Sequence, residues 1–210
     1  MIDVEVLATG SKGNCYLLTS GETRILLDCG ISYKKILKLL DFKLPTAVLV
    51  THEHQDHAQA AEDFIKHGVD VYMTTGTAMA LGLEENHRLH LIESGANFKV
   101  GECVSFAFEI QHDAAEPVNF IVNDGEDKIL YVTDTSKISN KFDGLTKILI
   151  ETNYFENKLT DSQIDYTQKD RIIKNHLSVE KAINFLESTY LSECKEIYLI
   201  HISARHGDGE

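Results

Sequence analysis

Proline is scarce in this sequence of 210 residues, in which Pro45 and Pro117 are the two that occur. No stretch rich in proline, serine or glycine and no internal repeat divides the chain. Hydrophobic residues make up 43% of it, which is ample for a continuous buried core. We therefore expect residues 1–210 to form a single domain.

Long apolar runs are also absent, so the sequence predicts no membrane span. Residues 1–5 carry acidic groups and alternate like a strand, unlike the basic and then apolar layout of a signal peptide. The cysteines form no C-x-x-C pair and have apolar neighbours that suit buried free thiols: Cys15, Cys29, Cys103 and Cys194. These features favour a reducing, cytoplasmic setting.

Basic residues are outnumbered, 20 against 33 acidic ones, which gives a formal charge of −13. This balance argues against a large basic surface that follows a nucleic-acid backbone, since such binding depends on lysine and arginine. A local cluster such as Lys169, Arg171 and Lys174 could still meet a phosphate chain, and small anionic substrates are equally compatible. The oligomeric state stays open, with a homodimer among the assemblies that the sequence permits.

The segment THEHQDH, residues 51–57, places three imidazoles and two carboxylates directly after the apolar run 47–50. Imidazole and carboxylate are the usual ligands of zinc and other catalytic divalent metals, and a loop at a strand end can aim several at one point. A single histidine there would more often be an ordinary polar residue, and we expect Glu53 and Gln55 to be solvated. The H-x-H-x-D-H spacing of the others predicts a metal site.

Hydrophobic periodicity predicts two groups of short strands with helices between them. The predicted strands are 4–7, 16–19, 24–28, 47–50, 69–73, 89–92, 98–100, 104–110, 120–122, 129–132, 147–150 and 197–200, those from 89 to 132 mostly antiparallel. The predicted helices follow Ser32 and cover 57–67, 77–83 and 179 to about 190, while the polar stretch 151–178 is expected to be irregular. This order implies sheet layers covered by helices.

Metal-type residues recur where predicted strands end: Asp28, His112, Asp134 and His201. Each alone has an ordinary explanation, such as a turn-forming aspartate or a half-exposed histidine. Four such placements beside the 51–57 cluster are unexpected by chance, and together they could complete two metal sites.

The set His52, His54, Asp56, His57, His112, Asp134 and His201 resembles, in the same chain order, the ligand series of the metallo-β-lactamase superfamily. The resemblance implies a four-layer αββα sandwich with a dinuclear site at one edge. It further implies that His52, His54 and His112 hold one metal, that Asp56, His57 and His201 hold the second, and that Asp134 bridges them. Asp28 would support the site from outside the ligand set.

Local phrases are similar to the YycJ/WalJ group of that superfamily: LATGSKGN at 7–14, HDAAEP at 112–117, TDT at 133–135, ETN at 151–153, HLS at 176–178 and HIS at 201–203. That group comprises bacterial and phage proteins regarded as nucleases and related to tRNase Z. The resemblance implies phosphodiester hydrolysis with two divalent ions, zinc or manganese. A departure from the group is Asn175, which replaces the glycine usual before His176.

Chemistry supports the same activity, because two metals about 4 Å apart can share a hydroxide, hold a phosphate oxygen and stabilise developing charge. The leaving alkoxide then needs a proton. We expect His176 to be the general acid and Glu151 to orient it, and we place Asp56 with them among the catalytic residues. As an alternative, His176 could only cap the helix that starts at Ser178.

Substrate contacts are less strongly indicated. Ser11 and Asn14, with Lys12 between them, could line the substrate opening, although such a loop is more often simply a turn. Ser203 and Arg205 are further candidates, since an arginine can pair with a phosphate.

Three functions remain open at this stage. A DNA or RNA nuclease of exonuclease type is favoured by the ligand set and the Glu151/His176 pair. The short chain and its negative charge keep a phosphodiesterase of small or cyclic nucleotides as a rival. A non-catalytic, metal-binding regulatory protein would require a missing ligand, and none is missing from the set.

Overall fold

Two six-stranded sheets stack face to face in this computed structural model, which describes residues 1–203 and 207. The first sheet contains, in consecutive order, β1 (Asp3–Ala8), β2 (Cys15–Ser20), β3 (Thr23–Leu27), β4 (Ala47–Leu49), β5 (Asp70–Thr74) and β6 (Leu89–Ile92). The second contains, also in order, β7 (Asn97–Val100), β8 (Cys103–Glu109), β9 (Val118–Asn123), β10 (Lys128–Val132), β11 (Lys147–Glu151) and β12 (Glu196–Ile200). The predicted strands are confirmed, with ends that shift by one or two residues.

Both sheets are mixed. Neighbouring strands pair antiparallel from β1 through β3 and from β7 through β10. Neighbouring strands pair parallel from β3 through β6 and from β10 through β12. Strand β6 was expected among the antiparallel strands but pairs in parallel with β5. Because β1, β3 and β4 share one direction, and β8, β10, β11 and β12 share another, their carboxyl ends collect at one edge of each sheet. This edge is where the metal-type residues of the sequence fall.

The helices lie on the outer faces: α1 (Tyr33–Leu39), α2 (Gln55–Ala58), α3 (Ala61–Lys66) and α4 (Thr75–Ala80) precede β7, and α5 (Glu156–Asp161), α6 (Tyr166–Asn175) and α7 (Val179–Ser188) lie between β11 and β12. Between the sheets, Tyr16 and Leu49 pack with Phe120 and Tyr131. Separate clusters join α1 and α3 to the outer face of the first sheet and α7 to that of the second. The predicted four-layer αββα arrangement is confirmed.

The prediction of one continuous helix at 57–67 is wrong. The segment forms two helices, since α2 ends at Ala58 and α3 begins at Ala61. The break has a local cause. The Ala60 N–H donates to the Cys29 carbonyl at 3.0 Å rather than to a carbonyl within a helix. The chain after the metal-type loop is thereby fastened to the segment that follows β3.

The stretch 151–178, predicted to be irregular, contains the helices α5 and α6. Helix α6 is polar, and its apolar residues Ile172 and Ile173 are adjacent instead of three or four positions apart, so periodicity did not reveal it. The start of α6 could have been predicted, because aspartate is a preferred N-cap residue. In the structure the Asp165 side chain accepts the N–H of Gln168 and caps the helix. None of the helices within the described part of the chain has the length and apolar character that a membrane span needs.

Asp127 fastens two distant segments to the loop between β9 and β10. Its Oδ2 accepts the Ile2 N–H at 2.8 Å, and its Oδ1 accepts a hydrogen bond from Lys195 Nζ at 3.3 Å. Asp127 is only 1% exposed, so water does not replace these partners.

We expect Asp127→Ala to lower the free energy of unfolding by about 2 kcal/mol, because the Ile2 N–H loses a charged acceptor. Burial alone would raise the pKa of the Asp127 carboxyl, but the hydrogen bond from Ile2 brings it below its ordinary value. A lowered carboxyl pKa stabilises the fold above the ordinary pKa, and this contribution is lost as the pH falls through the lowered value. Asp127→Asn should therefore weaken the acid dependence of stability.

Urea unfolding between about pH 7 and pH 3 measures both effects. Identical urea midpoints for the wild type and Asp127→Ala would contradict this role.

Candidate metal centre

Three of the strand-end residues adopt a left-handed backbone that non-glycine residues rarely take. The φ angles are 57° at Asp28, 46° at Asp134 and 51° at His201, which lie one or two residues after the ends of β3, β10 and β12. Such backbone carries a cost of about 1–3 kcal/mol and persists where the surroundings hold it in place. In each case the chain turns sharply at the sheet edge, where the three side chains belong to one cluster.

The loop after β4 is held by backbone contacts from the segments beside it. Asn14 N–H donates to the Asp56 carbonyl at 2.7 Å, and Cys29 N–H donates to the His57 carbonyl at 2.7 Å. The approach requires glycine at position 30, since a Cβ there would lie 1.7 Å from the Asp56 carbonyl oxygen. Asp56 and His57 are thus fixed to the first sheet.

His52, His54 and His112 form the first donor group. His54 Nδ1 lies 3.1 Å from His52 Nε2 and 3.1 Å from His112 Nε2. Two nitrogens bound to one zinc at about 2.0–2.1 Å lie no more than about 4.2 Å apart, so these atoms can share an ion. Three ring nitrogens that meet at one point cannot all pair with one another by hydrogen bonds, because each nitrogen offers either one proton or one lone pair.

Asp56, His57, Asp134 and His201 form the second donor group. The Asp56 Oδ2 atom lies 3.6 Å from His57 Nε2 and 3.7 Å from His201 Nε2. His201 is 1% exposed, and its Nε2 has no hydrogen-bond partner among residues 1–203 and 207. A buried nitrogen without a partner is costly unless a ligand meets it.

Asp134 lies between the two groups. Its Oδ2 is 2.8 Å from His57 Nε2 in the second group, and 3.5 Å from His52 Nε2 and 3.9 Å from His112 Nε2 in the first. The structure therefore brings together all seven residues of the predicted ligand series. The donor types and the unpartnered His201 nitrogen fit divalent metal ions.

Asp28 contacts this cluster through His57. Its Oδ2 lies 2.7 Å from His57 Nδ1 and accepts the Tyr131 hydroxyl at 2.6 Å, while its Oδ1 accepts the Thr51 N–H at 2.8 Å. When His57 Nδ1 carries its proton toward Asp28, the Nε2 lone pair faces Asp134 and Asp56. A carboxylate behind a histidine in this way fixes the tautomer that a metal ligand needs.

Burial and neighbouring charges divide the histidines into two kinds. Burial lowers the pKa of His52 well below its ordinary value and also lowers the pKa of His112, which keeps both imidazoles neutral. Burial alone would lower the pKa of His57 and of His201, but the negative charge of Asp134 outweighs burial at both residues. The pKa of His57 is raised to about 10, and that of His201 well above its ordinary value. The neutral pair matches the form in which histidine binds metal.

Glu151 connects His176 with His201. Its Oε1 lies 2.8 Å from His176 Nδ1 and 2.9 Å from His201 Nδ1, and its Oε2 accepts the Leu177 N–H at 3.0 Å. Burial alone would lower the pKa of His176, but the Glu151 carboxylate raises it to about 9. Ser178 Oγ itself accepts the Lys181 N–H and caps α7, so the alternative capping role for His176 does not hold.

A cavity of about 790 Å³ opens above the cluster. Gln168, Arg171 and Asn175 of α6 line one wall. Ser11, Lys12 and Ser203 also line it, and their contact with substrate stays a prediction. Its size falls within the range of about 300–1,000 Å³ that is usual for ligand sites.

Asn14 departs from its predicted place at the substrate opening. It is fully buried, its Oδ1 accepts the Gly10 N–H at 3.0 Å, and its Nδ2 lies 3.1 Å from His57 Nε2. The Asn14 amide makes its hydrogen bonds within the protein and holds the turn before β2 against the metal-type loop at residues 51–57. The candidate Arg205 lies outside the described residues.

Two further residues support the site and were missed in the sequence. Glu53, expected to be solvated, is half-buried, and its Oε1 accepts the Ala115 N–H at 2.8 Å. Asn175 is buried, its carbonyl lies 3.2 Å from His112 Nδ1, and its Oδ1 accepts the Asp113 N–H at 3.0 Å. Glu53 and Asn175 both hold the 112–117 loop in place. One indication of the role of Asn175 was present in the sequence, since it stands where the resembling YycJ/WalJ group usually has glycine.

Known proteins share extended sequence similarity with this chain. A family model described as "Beta-lactamase superfamily domain" matches residues 23–202. The chain is 31% identical over 216 aligned residues to "Exodeoxyribonuclease WalJ" of Streptococcus pneumoniae, an alignment that covers 94% of this chain and 80% of the relative. The resemblance predicted from the motifs is confirmed.

Solved structures share the fold. The protein YhfI from Bacillus subtilis matches with a TM-score of 0.73 at 17% identity and covers 97% of this chain and 87% of its own. The short form of human tRNase Z matches with a TM-score of 0.65 at 17% identity and covers 98% and 93%. At these identities the likeness concerns the fold alone.

Gly30→Ala is expected to displace Asp56 and His57, because the added Cβ would meet the Asp56 carbonyl. Calorimetric titration with zinc should then show at least tenfold weaker binding, the lower end of the roughly 10–100-fold loss seen when ligand support is removed. Gly68→Ala is the control, since a Cβ at Gly68 meets nothing within 4 Å and the change costs only backbone strain at φ 82°. Unchanged zinc binding by Gly30→Ala would contradict this account.

Proposed function

Because this chain belongs to the beta-lactamase superfamily, whose domain model matches residues 23–202, we propose that it is a metal-dependent phosphodiester hydrolase that acts as a DNA exonuclease. The observation that carries the proposal is the pair of donor groups joined by Asp134 at one sheet edge. DNA is proposed as the substrate because the curated relative is named an exodeoxyribonuclease.

The first metal would be held by His52, His54 and His112, and the second by Asp56, His57 and His201, with Asp134 between them. When bound, divalent ions of the zinc or manganese type stabilise charge on a phosphate and lower the pKa of water. The mixture of imidazole and carboxylate donors accepts either metal, so both belong to the proposal.

His176 is proposed to donate the proton that the leaving oxygen of the phosphodiester needs. Its Nδ1 is taken by Glu151, it lines the cavity, and no described residue hydrogen-bonds its Nε2. Glu151 fixes the orientation of the His176 ring and thereby the position of Nε2, the nitrogen proposed to donate the proton. Because the same carboxylate lies 2.9 Å from His201 Nδ1, Glu151 also orients a proposed metal ligand.

A phosphodiesterase of small or cyclic nucleotides is the second candidate, and the cavity volume of about 790 Å³ favours it because a small ligand would fit. The donor groups are the same for both candidates. A cytoplasmic setting is part of the proposal, since Cys15, Cys29, Cys103 and Cys194 are free thiols. A homodimer stays a prediction.

Purified protein loaded with zinc or manganese should shorten end-labelled DNA, and Asp56→Ala/His57→Ala should lose this activity by at least a hundredfold, about 2.7 kcal/mol of the roughly 8–23 kcal/mol that catalysis typically supplies. The matched control is Asp63→Ala/His67→Ala, which removes the same side-chain types from exposed positions, Asp63 in the first turn of α3 and His67 at its C-cap. Cyclic nucleotides should be tested in parallel. Turnover of cyclic nucleotides alone would select the second candidate, and inert metal-loaded protein would reject both.

His176→Ala should separate substrates by their leaving groups. The p-nitrophenolate of bis-p-nitrophenyl phosphate leaves without help, whereas the alkoxide of DNA needs a proton, so kcat on DNA should fall by about 100-fold and kcat on the ester by much less. Glu151→Gln should shift both activities, because it also orients His201. Equal losses on the two substrates with His176→Ala would contradict the acid role.

A further inference from the structure

Lys12 and Arg171 face the same cavity from different sides. Lys12 lies in the turn between β1 and β2, Arg171 lies on α6, and both line the cavity above the donor groups. Neither side chain has a hydrogen bond or ion pair within residues 1–203 and 207, and both residues are exposed. Two cations without partners at one cavity are notable in a chain of net charge −13.

The chain segment that carries each cation is held to a different donor group by a neighbouring asparagine. The Lys12 turn is held by Asn14, whose N–H donates to the Asp56 carbonyl at 2.7 Å, so Lys12 lies on the side of the second group. Helix α6 is held by Asn175, whose carbonyl lies 3.2 Å from His112 Nδ1, so Arg171 lies on the side of the first group. A phosphodiester bound across the two groups would therefore lie between the two cations.

The spacing along α6 places Arg171 beyond the reaction centre. Arg171 precedes Asn175, the last residue of α6, by about 6 Å along the helix axis at 1.5 Å per residue, and His176 follows Asn175 in extended backbone. A phosphate held at the donor groups beside His176 leaves the guanidinium free for another phosphate of the same strand. The planar fork of arginine suits a phosphate, and lysine adds a point charge.

We propose that Lys12 and Arg171 bind the two phosphates that flank the scissile one, so that the substrate is a polynucleotide strand rather than a mononucleotide or a cyclic nucleotide. This inference rests on the proposed phosphodiesterase function and names its substrate class. Lys169 provides the contrast on the same helix, because its Nζ donates to the Thr160 carbonyl at 2.7 Å and it lines a different cavity.

The test compares Lys12→Gln, Arg171→Gln and the double variant with wild type and with Lys169→Gln as the charge-matched control. All are assayed as metal-loaded proteins on a single-stranded oligonucleotide and on bis-p-nitrophenyl phosphate, which carries one phosphate. Binding of a phosphorothioate-linked oligonucleotide is measured by anisotropy at several salt concentrations.

Each cavity variant should raise KM for the oligonucleotide by about tenfold with kcat retained. Each should also reduce the slope of log K against log salt by about 0.7, the value for one lost contact to a single strand. Turnover of the small ester should stay within about twofold of wild type. This pattern differs from that of His176→Ala, which should change kcat.

Equal losses on both substrates would overturn the proposal, since the residues would then only support the site. Unchanged oligonucleotide KM and salt slope would overturn it as well. If wild type cleaves no oligonucleotide, the proposed nuclease function fails, and the anisotropy series still decides whether Lys12 and Arg171 bind a strand.

Discussion

Asp134 places a buried carboxylate where imidazoles from separate segments of the chain converge. Its oxygens lie 2.8 Å from His57, 2.5 Å from His201 and 3.5 Å from His52. Burial alone would raise its pKa, but His201 and His57 hold the pKa well below the ordinary carboxyl value, so the group stays ionised. A buried charge of this kind is tolerated only where opposite charge and hydrogen bonds surround it, and this requirement constrains the whole sheet edge.

The fold meets that requirement through strand direction. Strands β3 and β4 of one sheet and β8, β10, β11 and β12 of the other end at the same edge, and each contributes a residue to the cluster or its support. The left-handed backbone at Asp28, Asp134 and His201 then turns the chain over this edge. The Thr51 N–H and the Tyr131 hydroxyl donate to Asp28, and the His201 N–H donates to Thr9 Oγ1, and these hydrogen bonds hold the strained positions.

Those parts of the structure that follow a strong local sequence pattern could be predicted from the sequence. The strands were predictable from apolar runs, and the donors were predictable because histidine and aspartate stood at strand ends. What failed depended on contacts between distant segments. The break in the 57–67 helix comes from a hydrogen bond between Ala60 and Cys29, and Asn14 is buried because the ligand loop needs its amide. Helix α6 escaped prediction because its apolar residues Ile172 and Ile173 are adjacent, so its sequence shows no helical spacing.

The central claim is that Asp134 joins two metal positions. Anomalous diffraction from crystals of the manganese- or zinc-loaded protein tests it directly. The account predicts two peaks per chain, one among His52, His54 and His112 and one among Asp56, His57 and His201, with Asp134 in contact with both. A single peak, or a peak among Glu151, His176 and His201, which also lie close enough to share an ion, would contradict it.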